Sequence, residues 1–465
     1  MTPCITLLFI TLLTVFTEAA QPMRVGWARV DITPPPGMRL CGSFDERLAT
    51  GTHDPLWVRA FVFEQGGVKL ALAGCDLGMI SPVVCDAVRT AVRDLGLEPE
   101  HVLIHASETH NGPAFYWEVG RVFHERAVRE LGHDPAEPVD YPKLLAARIA
   151  EAIRAADQSL APATLSWAQG RCEGLAFNRR YVMKDGRIGW NPGKLNPDIV
   201  RPAGPVQDRV PLLVFQRDDK PAALLTGFAM HLAILDGLEY AADYPFYLDQ
   251  KLRAELGSDF FTHFLQAPCA EVNHLDVSHD RSQIGHVEAQ RVGEKLAATV
   301  LAEMPALRPL PAPRLAAASS RVELRVQSFS EEETARERVR FQDLGRAKMS
   351  LLEMAHTSRV IAIADRHRSG PVTVRVQAFR LDEDTALLGL PSEVSVEFGL
   401  RITRESPFKH QLIVQLSNDW LGYIPPRHMF EEGGYESAVA HIAPGEGEHL
   451  TAAALKLLRE LHAQP

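Results

Sequence analysis

Apolar and polar positions alternate along residues 23–33 (MRVGWARVDIT), and the pattern stops at Pro34-Pro35-Pro36-Gly37, which predicts a strand and a turn. Two more strand patterns follow at 56–64 (LWVRAFVFE) and 68–75 (VKLALAGC). Residues 82–95 switch to helical spacing, with Val83, Val84, Ala87, Val88, Ala91 and Val92 on one side. A buried strand at 101–107 comes next, where Val102, Leu103 and Ile104 run together. Strands interleaved with a helix in this order predict an α/β fold of mixed β-sheets covered by helices.

Further along, the spacing predicts a helix over 140–156, strands over 163–169, 210–217, 222–230 and 260–266, and helices over 249–257 and 285–304. Residues 176–205 are rich in Asn, Pro, Gly and Arg and read as one long loop, a feature that in compact domains is often functional. The Pro-rich stretch 305–313 (PALRPLPAP) is the best internal boundary in what otherwise reads as a single catalytic domain over 21–465. Beyond it the pattern predicts a strand at 321–327, one charged helix from 331 to about 364, a hairpin (372–381 and 385–390), a strand at 411–416 and a terminal helix from about Glu448. No internal repeat and no low-complexity segment is visible.

Composition narrows the function more than the fold. At 465 residues, with 46% hydrophobic and 23% charged positions, the chain has ample material for a large core. A net charge of -10 argues against general nucleic-acid binding and against a polybasic membrane surface. Residues 5–16 (ITLLFITLLTVF), followed by Thr17-Glu18-Ala19-Ala20, predict a secretory signal peptide over 1–20, hence a secreted or periplasmic protein without an integral membrane span once it is removed. Five cysteines remain after residue 20, at 41, 75, 85, 172 and 269; they match no zinc ribbon and allow at most two intrachain disulfides.

Candidate chemistry lies at the ends of strands. In HVLIHASETHNGPAF, Glu108 and His110 are two residues apart just before a Gly-Pro turn, so strand alternation points them the same way. A carboxylate and an imidazole placed so make half of a metal or acid/base site. His231 ends the strand TGFAMH, and Glu393 follows Leu390-Pro391-Ser392 at another strand-to-helix switch. Tyr423 lies in NDWLGYIPP and Tyr435 in EEGGYES. No HExxH, GxSxG, Walker or GxGxxG pattern is present, so any site must be assembled from distant segments.

The segments VGWARVDITPP, HDPLWVRAFVF, Thr109 to Pro113, NRRY, GFAMH, LPSEV and GYIPP…EEGGYE, in this order, resemble the neutral/alkaline non-lysosomal ceramidase family over nearly all of residues 24–463. The resemblance implies a zinc amidase whose single Zn2+ is held by two histidines, a glutamate and a tyrosine, with His231, Glu393 and Tyr423 on three of those positions. It also implies that the chain ends where family members usually begin an immunoglobulin-like domain. Two departures stand out. The family's first zinc histidine is replaced by Glu108, so either Glu108 or the neighbouring His110 completes the shell; and the family's nucleophilic serine is replaced by Asn273, which donates hydrogen bonds but forms no acyl-enzyme. Water on the metal is then the expected nucleophile. Arg179, Tyr435 and Asn273 are expected to stabilise the oxyanion, and Glu108 or the family-matching Asp243 to act as general base. His53, His274 and Asp276 read as structural or supporting residues.

The expected substrate is a small molecule, lipid or glycan: an N-acylated lipid or an N-acylated sugar. Two alternatives remain open at this stage. One is a metal-independent glycoside hydrolase using paired carboxylates such as Glu108 with Asp243 or Glu393. The other is a non-catalytic binding protein on the same fold.

Overall fold

A computed structural model describes residues 22–310, 313–367 and 370–464, so the expected signal peptide lies outside the described residues. One plan of connection is used three times: an antiparallel hairpin, a crossover helix, and a strand returning parallel to the hairpin's second strand. First come Trp57–Gln65 and Val68–Cys75, then helix Pro82–Ala91 and strand Val102–Ala106. The second set is Arg209–Arg217 and Lys220–Phe228, helix Tyr244–Leu256 and strand Phe261–Gln266. Third come Val372–Asp382 and Thr385–Gly389, helix Val396–Glu405 and strand His410–Val414. The first hairpin turns through Gly66 and Gly67, both at positive φ, as a two-residue turn matching the strand twist requires.

Flanking strands complete three sheets. Arg24–Asp31 and Ala161–Pro162 extend the first, Thr164–Arg171 and Arg308–Leu310 the second, and Pro313–Leu324 the third. The inner faces of all three meet in one apolar cluster, with Phe61 and Leu103 from the first sheet, Leu213 and Phe215 from the second, and Phe379 and Leu412 from the third. The outer faces are covered by helices. Tyr141–Gln158 and Pro82–Ala91 lie on the first sheet, His286–Glu303 and Tyr244–Leu256 on the second, and Glu446–His462 and Val396–Glu405 on the third. Because both faces are buried, the strand from Leu70 to Cys75 is apolar without alternation. The repeat escapes the sequence because connectivity recurs while side chains do not.

The α/β class with mixed sheets under helices is what the apolar pattern predicts. Three local differences have physical reasons. Residues 176–205 are not one loop: Arg180–Met183, Ile188–Trp190 and Ile199–Pro202 form a small sheet, and Phe177–Asn178 pairs with Val272–Asn273. These strands are too short to show a period. The charged helix from 331 is two helices, Glu331–Gln342 and Leu351–Arg366, and the break is marked by a capping box between Ser350 and Glu353. Helix Glu118–Leu131, which buries Val119, Val122 and Phe123, has no counterpart among the predicted elements. All five described cysteines are buried free thiols. Among the described residues no helix is long and apolar enough to cross a membrane.

Candidate metal centre

The segments that follow the parallel strands of the first and third sheets line one cavity of about 690 Å³, at the carboxyl ends where ligands settle in open α/β sheets, and His231 from the second sheet lies buried behind its wall. Strand Val102–Ala106 ends two residues before Glu108, which turns the chain at φ 78 instead of continuing the strand. Glu108 and His110 therefore share the cavity through a left-handed turn and not through strand alternation. Such a backbone costs on the order of 1 kcal/mol or more for a residue with a Cβ, so the surrounding structure must hold it. The Glu108 amide donates to Leu77 O at 2.8 Å and that of His110 to Leu232 O at 3.1 Å. Ser392, at φ 66, sets up Glu393 in the same manner, and Glu393–Val394 pairs in parallel with Tyr423–Ile424.

These segments bring the candidate side chains together. His231 Nε2 lies 3.0 Å from Glu108 Oε1, 3.5 Å from Glu393 Oε2 and 3.0 Å from the Tyr423 hydroxyl. His231 Nδ1 is 3.0 Å from Val272 O and, as donor there, leaves Nε2 with a free lone pair. Glu108, not His110, supplies the close oxygen. The His110 ring sits edge-on to His231 with centroids 6.2 Å apart and packs against Gly42, where a Cβ would fall 2.4 Å from its Cγ.

The supporting groups carry no motif and were not singled out in the sequence. Gln266 and Gln415 donate to Glu108 Oε2 at 2.6 and 3.2 Å, fixing the carboxylate. Trp420 Nε1 donates to Glu393 Oε1 at 3.1 Å. Cys269 Sγ is 3.5 Å from Glu108 Oε2 and 3.7 Å from His231 Nδ1. Glu108, His231 and Cys269 together form a buried cluster that could hold a metal ion.

The electrostatics favour a cation. Burial and the neighbouring Glu393 push the Glu108 carboxyl well above the usual range. Burial acts on Glu393 in the same sense, and hydrogen bonds at its oxygens, among them those of Tyr423 and Trp420, work against it and lower the pKa of that carboxyl. Burial and then Arg179 keep the His231 imidazole neutral, the form that ligates metal. Glu108 Oε1 is almost wholly buried and receives no hydrogen bond, because its neighbour His231 Nε2, 3.0 Å away, presents a lone pair and not a proton. The nearby cation, Arg179, is already matched: Arg179 and Arg180 bind the two oxygens of Glu436 at 2.8 and 2.9 Å, and Arg180 also binds Glu432. Glu393 thus stands charged without a cation of its own, and once Glu108 gives up its proton the oxygen- and nitrogen-rich set fits a divalent ion.

Arg179 lies against this cluster, 3.3 Å from the Tyr423 hydroxyl and 3.4 Å from His231 Nε2, with the Tyr435 ring 5.5 Å from the guanidinium carbon. Tyr435 lines the cavity. Asn273 does not line it: its amide donates to Asn191 Oδ1 at 3.1 Å and its oxygen accepts from Leu275 N. Asp243 lies outside as well. It caps helix Tyr244–Leu256 and accepts from the amides of Tyr244, Ile234 and Leu235, so its carboxylate oxygens are taken by backbone donors. His53, paired with Asp54, and His274 and Asp276 are also absent from the lining. Glu108 and Glu393 converge on the single nitrogen His231 Nε2, at 3.0 and 3.5 Å, instead of standing apart on two sides of an open cleft as carboxyls flanking a glycosidic bond do.

Glu436 is the hinge of this arrangement. Glu436→Gln should leave two buried guanidinium groups short of charge and destabilise the fold by about 3–5 kcal/mol, read as a lowered denaturant midpoint.

Comparison with solved structures agrees with this architecture. Neutral ceramidase from Pseudomonas aeruginosa superposes with a TM-score of 0.72 at 18% identity, covering 95% of this chain and 75% of that one. The fold is that of the ceramidase catalytic domain. A second ceramidase structure, described as complexed with C2, superposes on the ceramidase-like fold with a TM-score of 0.70 at 18% identity and the same coverage. No family model and no curated protein matches the ceramidase-like chain in sequence.

Proposed function

We propose that this protein is a secreted or periplasmic zinc-dependent hydrolase that cleaves an amide bond of an N-acylated lipid or sugar, with water as nucleophile. The observation that carries the reading is the convergence of Glu108, His231, Glu393 and Tyr423 from all three sheets, with one buried carboxylate oxygen left unpartnered. The ceramidase fold supports the amidase class.

Glu108 Oε1, His231 Nε2, Glu393 Oε2 and the Tyr423 hydroxyl would hold the ion, with Cys269 within reach of two of them. When bound, zinc supplies Lewis acidity and lowers the pKa of water to near ~7. The residues do the rest. Gln266 and Gln415 orient Glu108, and Trp420 orients Glu393, so that neither carboxylate turns away. Arg179, kept charged by Glu436, lies where the carbonyl oxygen gains negative charge, and the Tyr435 hydroxyl is the second donor available to it. His110, which burial and then His231 hold neutral with a pKa of about 3, lines the cavity as a hydrogen-bond acceptor that orients water but is too weak a base to take its proton. Asn273 in place of serine removes the acyl-enzyme route.

The test is metal content with activity. Purified protein should carry one zinc per chain and hydrolyse N-acyl amides; treatment with a chelator should remove both, and added zinc should restore both. Turnover that persists in metal-free protein would overturn the reading.

A further inference from the structure

One end of the same cavity is built differently from the metal cluster. It is lined by Ser358 and Arg359 of helix Leu351–Arg366 and by His441. Ser358 Oγ, Arg359 Nε and His441 Nδ1 have no hydrogen-bond partner, and the Ser358 and His441 side chains are more than nine-tenths buried. Buried donors without partners are costly, by about 1–3 kcal/mol each, so three on one wall call for a ligand.

Arg359 makes no ion pair among the described residues. Its terminal nitrogens donate to Ser437 O at 2.8 Å and His356 Nδ1 at 2.7 Å, and its guanidinium lies over the Phe329 ring. Glu333 stands behind His356, 3.3 Å from its far nitrogen, and is thus one imidazole removed from the guanidinium. Burial lowers the Arg359 pKa to about 10, against the pull of Glu333. Of the other charges nearby, Glu118 lines the cavity but is held by Arg366, whose Nη1 is itself unpartnered. Arg359 is therefore the cation lining this end that no carboxylate pairs with directly.

The wall is close to the reacting groups. The Trp420 indole, which binds Glu393, is edge-on to His441 at 5.6 Å between centroids. Ser437, which accepts from Arg359, is two residues from Tyr435, whose ring lies 5.7 Å from that of Tyr423. Phe44, Met79, Trp117 and Val439 give the rest of the cavity an apolar surface.

We infer that Arg359, Ser358 and His441 form an anion subsite, and that the amide substrate is an amphiphile carrying a carboxylate or phosphate-type group near the bond to be cleaved. The inference deepens the hydrolase reading and rests on it for the word substrate, but the subsite itself is testable without turnover.

The probes are N-dodecylsulfonylglycine, its phosphonate counterpart and its methyl ester, sulfonamides that resist hydrolysis, titrated calorimetrically into the intact protein. Either anionic probe should bind about 10–100-fold more tightly than the neutral ester, the size of a charge-assisted hydrogen bond. The tighter of the two names the group. Arg359→Met should reduce that preference to within about twofold while leaving ester affinity unchanged, Arg359→Lys should keep part of it, and Ser358→Ala should weaken only the anionic probes. Equal affinity for anionic and neutral probes in the wild-type protein would overturn the inference, as would an Arg359→Lys protein, folded by circular dichroism, that binds all probes equally. Hydrolysis of the matching N-acyl amides is scored separately. An anion preference without turnover removes the hydrolase reading and leaves the subsite standing; turnover without preference does the reverse.

Discussion

His231→Ala is expected to empty the metal centre and lower amide hydrolysis by on the order of 10³-fold, comparable with losing a preorganised charge-stabilising group at an active site. The ring nitrogen that lies within 3.5 Å of Glu108, Glu393 and Tyr423 is the shared point of the cluster, and no other imidazole can replace it. His110 is the nearest alternative, but its ring stands edge-on at 6.2 Å and is packed against Gly42. Removing a wholly buried ring that meets Val272 O costs some stability, so unfolding is measured alongside to separate that cost from the loss of metal. Elemental analysis, turnover and thermal unfolding of the same preparation check it. Stoichiometric zinc retained by the folded variant would place the ion elsewhere.

Glu108→Gln should have the second-largest effect, weakening metal binding by at least the roughly 10–100-fold seen for supporting residues alone. Glu108 Oε2 already takes two donated hydrogen bonds, from Gln266 and Gln415. An amide there must either set its NH2 against those donors or point it at the ion, and neither arrangement binds a cation well. In the metal-free chain the consequence differs. Burial and Glu393 raise the folded carboxyl above its ordinary value, so the folded chain holds that proton more tightly than the unfolded chain. Stability from this group is therefore full below the ordinary carboxylate range and is lost as pH rises through the raised value. Glutamine, always neutral, should remove that pH dependence from the metal-free protein. Metal uptake must also displace the Glu108 proton, so wild-type affinity should rise with pH, and the variant should release about one proton fewer per ion. Competition titrations in two buffers of different ionisation enthalpy measure that release.

Much of this was legible in the sequence because the signal was local. Strands such as Arg24–Asp31 and helices such as Tyr141–Gln158 are long, periodic and bounded by turn or capping residues, so their pattern states their structure. His231, Glu393 and Tyr423 stood out only through ordered segments resembling the ceramidase family, since no spacing joins residues so far apart. What stayed hidden depends on three-dimensional proximity. Gln266 and Gln415 are ordinary strand-end amides until they meet Glu108. Asn273 and Asp243 shared the apparent credentials of site residues, yet one is bound to Asn191 and the other is a helix cap. The subsite wall was obscured for another reason. Ser358 and Arg359 lie within what the pattern predicts as one charged helix from 331 to about 364, and nothing local marks them out from its other polar positions.

Glu108, His231 and Glu393 each hang from a different sheet, and those sheets otherwise adhere mainly through the oily interface shared by Phe61, Phe215 and Phe379. An ion gripped there acts as a clasp across three layers. Saturating zinc at about 100 times its dissociation constant should add roughly 2.7 kcal/mol to folding, so chelation would loosen the whole body of the molecule as well as silencing its chemistry.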